Sequence, residues 1–170
     1  SIFQSQSIDA IFATMGNSNE VTFTYNGETT SELVSIEPYN GNYRLVANEV
    51  AGVDEPQLIT IVATQEPDDA MLGKTTTAKL TVLPQVAWNW GTLYFNSTTT
   101  TKPVITYSNE PWTLSVASDP NNLIQSLAVD PINGYVANIG TPADATQTYT
   151  ATFNFKQGNY PKTFTSTIYA

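Results

Sequence analysis

The stretch Tyr149-Thr-Ala-Thr-Phe-Asn-Phe-Lys156, "YTATFNFK", decides the fold class. Tyr149, Ala151, Phe153 and Phe155 alternate with Thr150, Thr152, Asn154 and Lys156, so one face is apolar and the other polar. Side chains of an extended chain point to opposite faces in turn, and period two is therefore the mark of a half-buried β-strand. The same rhythm recurs outward from it. "VTFTY" aligns Val21, Phe23 and Tyr25; "QLITIVATQ" aligns Ile59, Ile61 and Ala63; "TTTAKLTVLP" aligns Ala78, Leu80 and Val82. "SELVSIEP" is a further strand, expected to end at Pro38. Asn26-Gly27, Asn40-Gly41 and Asn133-Gly134 supply residues that tolerate positive φ, as tight hairpin turns require. No stretch carries a convincing 3.6-residue period. Short strands at regular spacing, separated by turn signals, predict an all-β chain of antiparallel sandwiches.

The stretch "VLPQVAWNWGTLYF", 82–95, interrupts this series. After it the rhythm starts again with "GTLYFNS", "TKPVITYS", "PWTLSVAS" and "LIQSLAVDP", and "KTFTSTIYA" follows the opening strand as its antiparallel partner. Each half is expected to close with a long strand pair joined by an extended loop. This weak internal repeat predicts two tandem Ig-like β-sandwich domains, 1–84 and 85–170, joined by a short linker near Pro84-Gln85. Charge separates the halves. Eleven acids against Arg44, Lys74 and Lys79 give −8 up to Pro84, whereas four acids against Lys102, Lys156 and Lys162 give −1 beyond it. All three tryptophans lie in the second half.

Composition excludes several function classes. There is neither cysteine nor histidine, so disulfides, thiolate metal sites, thiol nucleophiles and the commonest general base are unavailable. A net charge of −9 repels nucleic-acid phosphates. No run approaches the ~18 apolar residues of a membrane span, and no signal-peptide pattern stands at Ser1. Charged residues are only 12% of the chain, and Thr, Ser and Asn fill the polar strand faces.

Two resemblances rest on particular residues. "TIVAT" followed by "AKLTVLP", with the upstream Tyr39-Asn40-Gly41, resembles the later half of bacterial and phage immunoglobulin-like (Big-like) domains. "GTLYFNS…VITYSNEPWTLSV…LAVDPINGY…YTATFNF" resembles the BACON-type Ig-like modules of bacterial surface and carbohydrate-active proteins and of phages, through Leu93, Phe95, Asn109, Trp112, Pro131 and Gly134. The resemblance implies a β-sandwich more than any activity.

The candidate sites have competing readings. Trp88 and Trp90, one residue apart on a strand, would share a face. Exposed, they form a platform for a glycan or a partner; buried, they cover a domain junction or close a core, the commoner fate of Trp. Trp112, alternating with Leu114 and Val116, reads as core. Asp54 and Glu55 are candidate ligands of a junctional calcium ion, the alternative being solvated loop carboxylates. Glu66, Asp68 and Asp69 belong to the opposite end of the sandwich, because "QLITIVATQ" separates the groups by roughly 30 Å at ~3.3 Å per residue. Glycoside hydrolysis would need two carboxylates facing across a cleft, and nothing in the pattern builds one. Asn96-Ser97-Thr98 matches the glycosylation sequon, and neither Lys79 nor Lys156 is singled out for an isopeptide bond.

These readings converge on a non-catalytic structural or adhesive module without a required cofactor. It is expected to be extracellular, on a phage virion (decoration, fibre or tail component) or a bacterial cell surface, with a protein partner and no nucleic-acid or membrane-inserted role. A carbohydrate-binding accessory module using Trp88 and Trp90 is the first alternative. The second is a pilin-like subunit donating a strand, with "SIDAIFA" (Ile8, Ala10 and Phe12 alternating) as donor.

Overall fold

A computed structural model describes residues 1–9, 11–12 and 17–170. The chain divides into two compact units, Ser1–Gln85 and Val86–Ala170, each all-β.

The first unit contains β1 (Ile2–Phe3), β2 (Ser7–Asp9), β3 (Val21–Tyr25), β4 (Val34–Tyr39), β5 (Asn42–Ala47), β6 (Gln57–Gln65) and β7 (Lys74–Leu83). One sheet has the order β1-β7-β6-β3, with β1 parallel to β7, and the other the order β2-β5-β4. In immunoglobulin lettering these are A′GFC and BED, the Ig-like sandwich. The faces that alternation marks as apolar meet between the sheets: Ile2, Tyr25, Ile59, Ile61 and Val82 from one, Val34, Leu45 and Ala47 from the other.

The second unit contains β8 (Ala87–Trp88), β9 (Thr92–Tyr94), β10 (Ser97–Thr98), β11 (Val104–Ile105), β12 (Trp112–Ser118), β13 (Ile124–Asp130), β14 (Gly134–Ile139), β15 (Tyr149–Gln157) and β16 (Tyr160–Tyr169). Its sheets are β9-β16-β15-β12 and β10-β14-β13, again A′GFC and BED, with an added pair β8-β11. Phe153, Phe155, Ala151 and Ile168 are buried on one sheet, Ala137 and Ile139 on the other. Tyr149 opens β15 and its hydroxyl donates to the Asp144 carbonyl at 2.8 Å, the tyrosine corner typical of Ig-like folds.

The repeat extends to single residues. Both A′ strands turn into the opposite sheet at a residue of positive φ, Ser5 (69°) and Asn96 (51°). In each case that residue's N–H bonds across, Ser5 to Ala47 and Asn96 to Gly140. The two F–G hairpins share one register. Gln57 pairs with Val82 and Gln65 with Lys74, just as Tyr149 pairs with Ile168 and Gln157 with Tyr160.

Two sequence expectations need correction. "SELVSIEP" does not stop at Pro38: β4 runs through it to Tyr39. β4 lies at a sheet edge, where a strand residue without an N–H costs no ladder bond. The F–G connection of the second unit is not an extended loop. It is a two-residue turn with Gly158 at φ 54°, the hairpin type that takes glycine first. Only the first unit has a long connection there, from Glu66 to Gly73. The Asn-Gly pairs also differ among themselves. Asn26-Gly27 and Asn40-Gly41 have both φ values positive, whereas at Asn133-Gly134 only Gly134 does (82°).

Gly134 has a second duty. A Cβ there would come within 2.9 Å of Trp112 Cζ2, so the glycine provides both the backbone conformation and room for the indole.

Candidate functional site

Trp88 and Trp90 do share a side, and that side is the core of the second unit. Trp90 is 1% exposed and donates its indole N–H to the Thr101 carbonyl at 3.0 Å. Trp88 is half-buried, with its ring stacked on Phe164 at 4.8 Å and 2° and tilted against Phe153. Its N–H donates to Ser166 Oγ at 3.3 Å. The exposed platform needs two open indole faces, and these are spent on Phe164, Phe153 and each other. Trp112 is half-buried between Tyr135 and Phe155, in keeping with a core role.

Asp54 and Glu55 stand exposed in the loop before β6. The Glu55 carbonyl accepts from Gln57 Nε2 at 3.2 Å, which pins this corner. Among the described residues no three acidic side chains converge on one point. Two carboxylates supply at most four of the six to eight oxygens calcium takes. "SIDAIFA" is partly built into its own unit, which corrects the donor-strand expectation. Ser7–Asp9 pair with Arg44–Val46, and Phe12 is buried edge-on to Phe23. Ala10 lies outside the described residues.

The arrangement best suited to recognition is the long F–G loop of the first unit, Glu66–Gly73, with the segment Asn17–Asn19 beside it. Its organiser is Asp68. Oδ1 accepts from the Ala70 and Met71 N–H groups at 2.9 and 2.7 Å. Oδ2 accepts from the Ser18 N–H at 2.7 Å and the Ser18 hydroxyl at 2.9 Å. Hydrogen bonds to a carboxylate favour its charged form, and these hold Asp68 down at about 2, led by the bond from the Ser18 N–H. The Asn17 side chain donates to the Glu66 carbonyl, and Asn19 to those of Glu66 and Pro67. Gly73 allows the chain to close, since a Cβ there would lie 2.8 Å from the Gln65 carbonyl oxygen.

Beneath the loop lies a device present in both units. Gln65 ends β6 and is buried; its Nε2 donates to the Asn17 and Asn19 carbonyls at 3.3 and 2.6 Å. Gln157 ends β15 and is also buried; its Nε2 donates to the Ser108 and Glu110 carbonyls at 3.1 and 2.6 Å. In each unit the acceptors stand four and two residues before the C strand. The only sequence signal was a glutamine closing both nine-residue strands, "QLITIVATQ" and "YTATFNFKQ".

The result in the first unit is a stiffened loop whose apolar tip faces water. Leu72 is 90% exposed and Met71 41%. Alternation could not find this tip, because it lies outside any strand.

No family model matches the chain, and no curated protein matches it. Among solved structures it is similar to an endo-fucoidan hydrolase of glycoside hydrolase family 107, at 14% identity and TM-score 0.40, over 89% of this chain and 23% of that one. It is also similar to the I67–I69 I-band fragment of titin, at 8% identity and TM-score 0.37, over 99% of this chain and 61% of that one. The human desmocollin-1 ectodomain is similar at 10% identity and TM-score 0.34, over 99% of this chain and 39% of that one. The chain thus spans about a quarter of the hydrolase's length. The molecule is a tandem Ig-like β-sandwich protein. No helix among its described residues is long and apolar enough to cross a membrane.

Proposed function

We propose that this chain is a non-catalytic attachment module, displayed on a phage virion as a decoration, fibre or tail component or on a bacterial cell surface, and that the Glu66–Gly73 loop makes its contact with a protein partner. The observation that carries this reading is the loop itself. Exposing Leu72 and Met71 on a segment already ordered by Asp68 and Gln65 is unfavourable for an isolated domain and favourable for binding, because little entropy remains to be lost. The Big-like and BACON-like kinship belongs to the same proposal, supported by the packing of Trp112 against Gly134 in the second unit. The test is adsorption of the labelled chain to intact virions and cells of its source. Saturable binding that Leu72→Asp abolishes is the expected result. Binding that is unchanged in Leu72→Asp refutes the loop's role.

One observation favours a glycan-binding reading as the second choice, at a place other than the tryptophans. An open depression of about 430 Å³ is lined by Thr146, Gln147, Thr148, Thr167 and Tyr169, together with Ala145 and Ala170. The exposed Tyr94 ring packs edge-on to Tyr169 at 5.4 Å. Aromatic faces beside hydroxyl and amide groups suit a sugar ring. Loss of oligosaccharide binding in Tyr169→Ala would support this reading, and no binding across a broad glycan panel would remove it.

A further inference from the structure

The chain has three Asn-Gly pairs, and the fold restrains their side chains to different degrees. An asparagine before a glycine is open to attack by its own backbone. The next peptide nitrogen reaches the side-chain carboxamide carbon through a five-membered ring, and glycine has no Cβ to obstruct the approach. Ring closure then depends on whether the carboxamide is free to turn onto the chain.

At Asn26 it is held. Its Oδ1 accepts from the Thr60 N–H at 2.8 Å, and its own N–H donates to the Thr60 carbonyl at 2.8 Å. Tyr25 and Glu28 close the turn with two further backbone bonds. Asn133 is half-buried and held by Asp130, whose carboxylate accepts from the Asn133 N–H at 3.0 Å and from its side chain. Gly134 is packed against Trp112, and the charge on Asp130 opposes the peptide anion that must form beside it.

Asn40 has none of these restraints. It is exposed, and its carboxamide has no hydrogen-bond partner among the described residues. Gly41 has open space around it, and its N–H is likewise unpartnered there. The turn is two residues long, closed by the pair Tyr39–Asn42. Among the described residues β4 pairs with β5 alone, so the end of this hairpin opens without unzipping a second strand from β4.

We propose that Asn40 is a modification site, converted spontaneously to isoaspartate and aspartate well ahead of Asn26 and Asn133. A base removes the Gly41 N–H proton, and the nitrogen pair bonds to Asn40 Cγ. The C–N bond of the carboxamide breaks, and its NH2 leaves with a proton as ammonia. The succinimide then takes up one water. Opening at the main-chain carbonyl leaves Gly41 attached through Cγ, as isoaspartate; opening at Cγ leaves aspartate. No redox partner is needed. Either product adds a negative charge to an already acidic unit, and isoaspartate also lengthens the main chain of a two-residue turn, so the Tyr39–Asn42 pair loses its register.

The test holds the whole chain in neutral buffer at physiological temperature for several weeks. Its peptides are then read by mass spectrometry with electron-transfer fragmentation, which separates isoaspartate from aspartate. The expected result is a gain of one mass unit at Asn40 at least tenfold faster than at Asn26 or Asn133, with isoaspartate among the products. Asn40→Gln, which would have to close a six-membered ring, should remove that gain. In denaturant the three sites should react within threefold of one another, because the restraints at Asn26 and Asn133 are then gone. The proposal is overturned if Asn26 or Asn133 keeps pace with Asn40 in the folded chain. It is equally overturned if Asn40 stays intact when folded yet reacts in denaturant. A tenfold lead of Asn40 that persists in denaturant also overturns it, since neighbouring residue types rather than the fold would then set the order.

Discussion

Gln157 offers a sharp test of the energetic reasoning. Its Nε2 donates two hydrogen bonds, to Ser108 and Glu110, while its Oε1 is buried without a partner. Gln157→Met keeps the length and apolar volume of the side chain and deletes the amide. Two bonds at about 1 kcal/mol net each are lost, and discarding an orphaned buried acceptor returns about 1 kcal/mol, leaving a cost of about 1 kcal/mol. Gln157→Glu keeps the shape but turns a carboxylate oxygen toward two carbonyls. A buried, unpaired charge costs about 3 kcal/mol or more. For a unit of this size these costs correspond to falls in Tm of about 5 °C and about 15 °C. The glutamate should also be pushed above its ordinary pKa by burial, so its folded form would be the more stable below that ordinary value. Its penalty should therefore shrink as pH falls toward about 4 and be complete at neutral pH. Tryptophan emission reads this selectively, because Trp88, Trp90 and Trp112 all lie in the second unit. If Gln157→Glu melts within 2 °C of wild type at pH 7, the buried clamp is not a stabilising device and the reasoning fails.

Other consequences follow from single positions. Gly134→Ala combines a φ of 82° with a clash against Trp112, whereas Gly41→Ala faces open space at φ 74°. Chemical denaturation should show a cost of about 1 kcal/mol at Gly41 and at least about 2 kcal/mol at Gly134; equal costs would mean that the indole simply moves aside. Trp90→Ala should cost about 3–5 kcal/mol by emptying a core position. In the wild type, acrylamide should quench Trp90 least, as Trp88→Phe and Trp90→Phe variants would resolve; an open Trp90 would restore the platform reading. Asp68 has its pKa lowered to about 2 from an ordinary 3.8. Its hold on the loop should be complete above the ordinary value and be lost as pH falls through about 2, and the Ser18, Ala70 and Met71 amide resonances should titrate together with that midpoint. A shared midpoint near 4 would show that these bonds are absent in solution.

The ledger between sequence and structure follows from range. Period-two alternation is a local property, and it was enough to mark Ile59, Ile61, Ala63, Phe153 and Phe155 as one-sided strand residues and to predict the all-β sandwich. Turn chemistry is local too, so the Asn-Gly pairs stood out, although the sequence did not distinguish the two turns with both φ positive from the one where only glycine takes that conformation. The fate of Trp88 and Trp90 depended on what lay opposite them. Phe164, Ser166 and Phe153 are more than 60 residues away in the chain, and no spacing rule connects them. The same is true of Gln65 and Gln157, whose partners are backbone carbonyls of a distant loop and leave no trace in residue type. Leu72 reads in the sequence as an ordinary apolar residue. Only the loop closed by Asp68 turns it outward, because burial is decided by what the rest of the chain leaves uncovered.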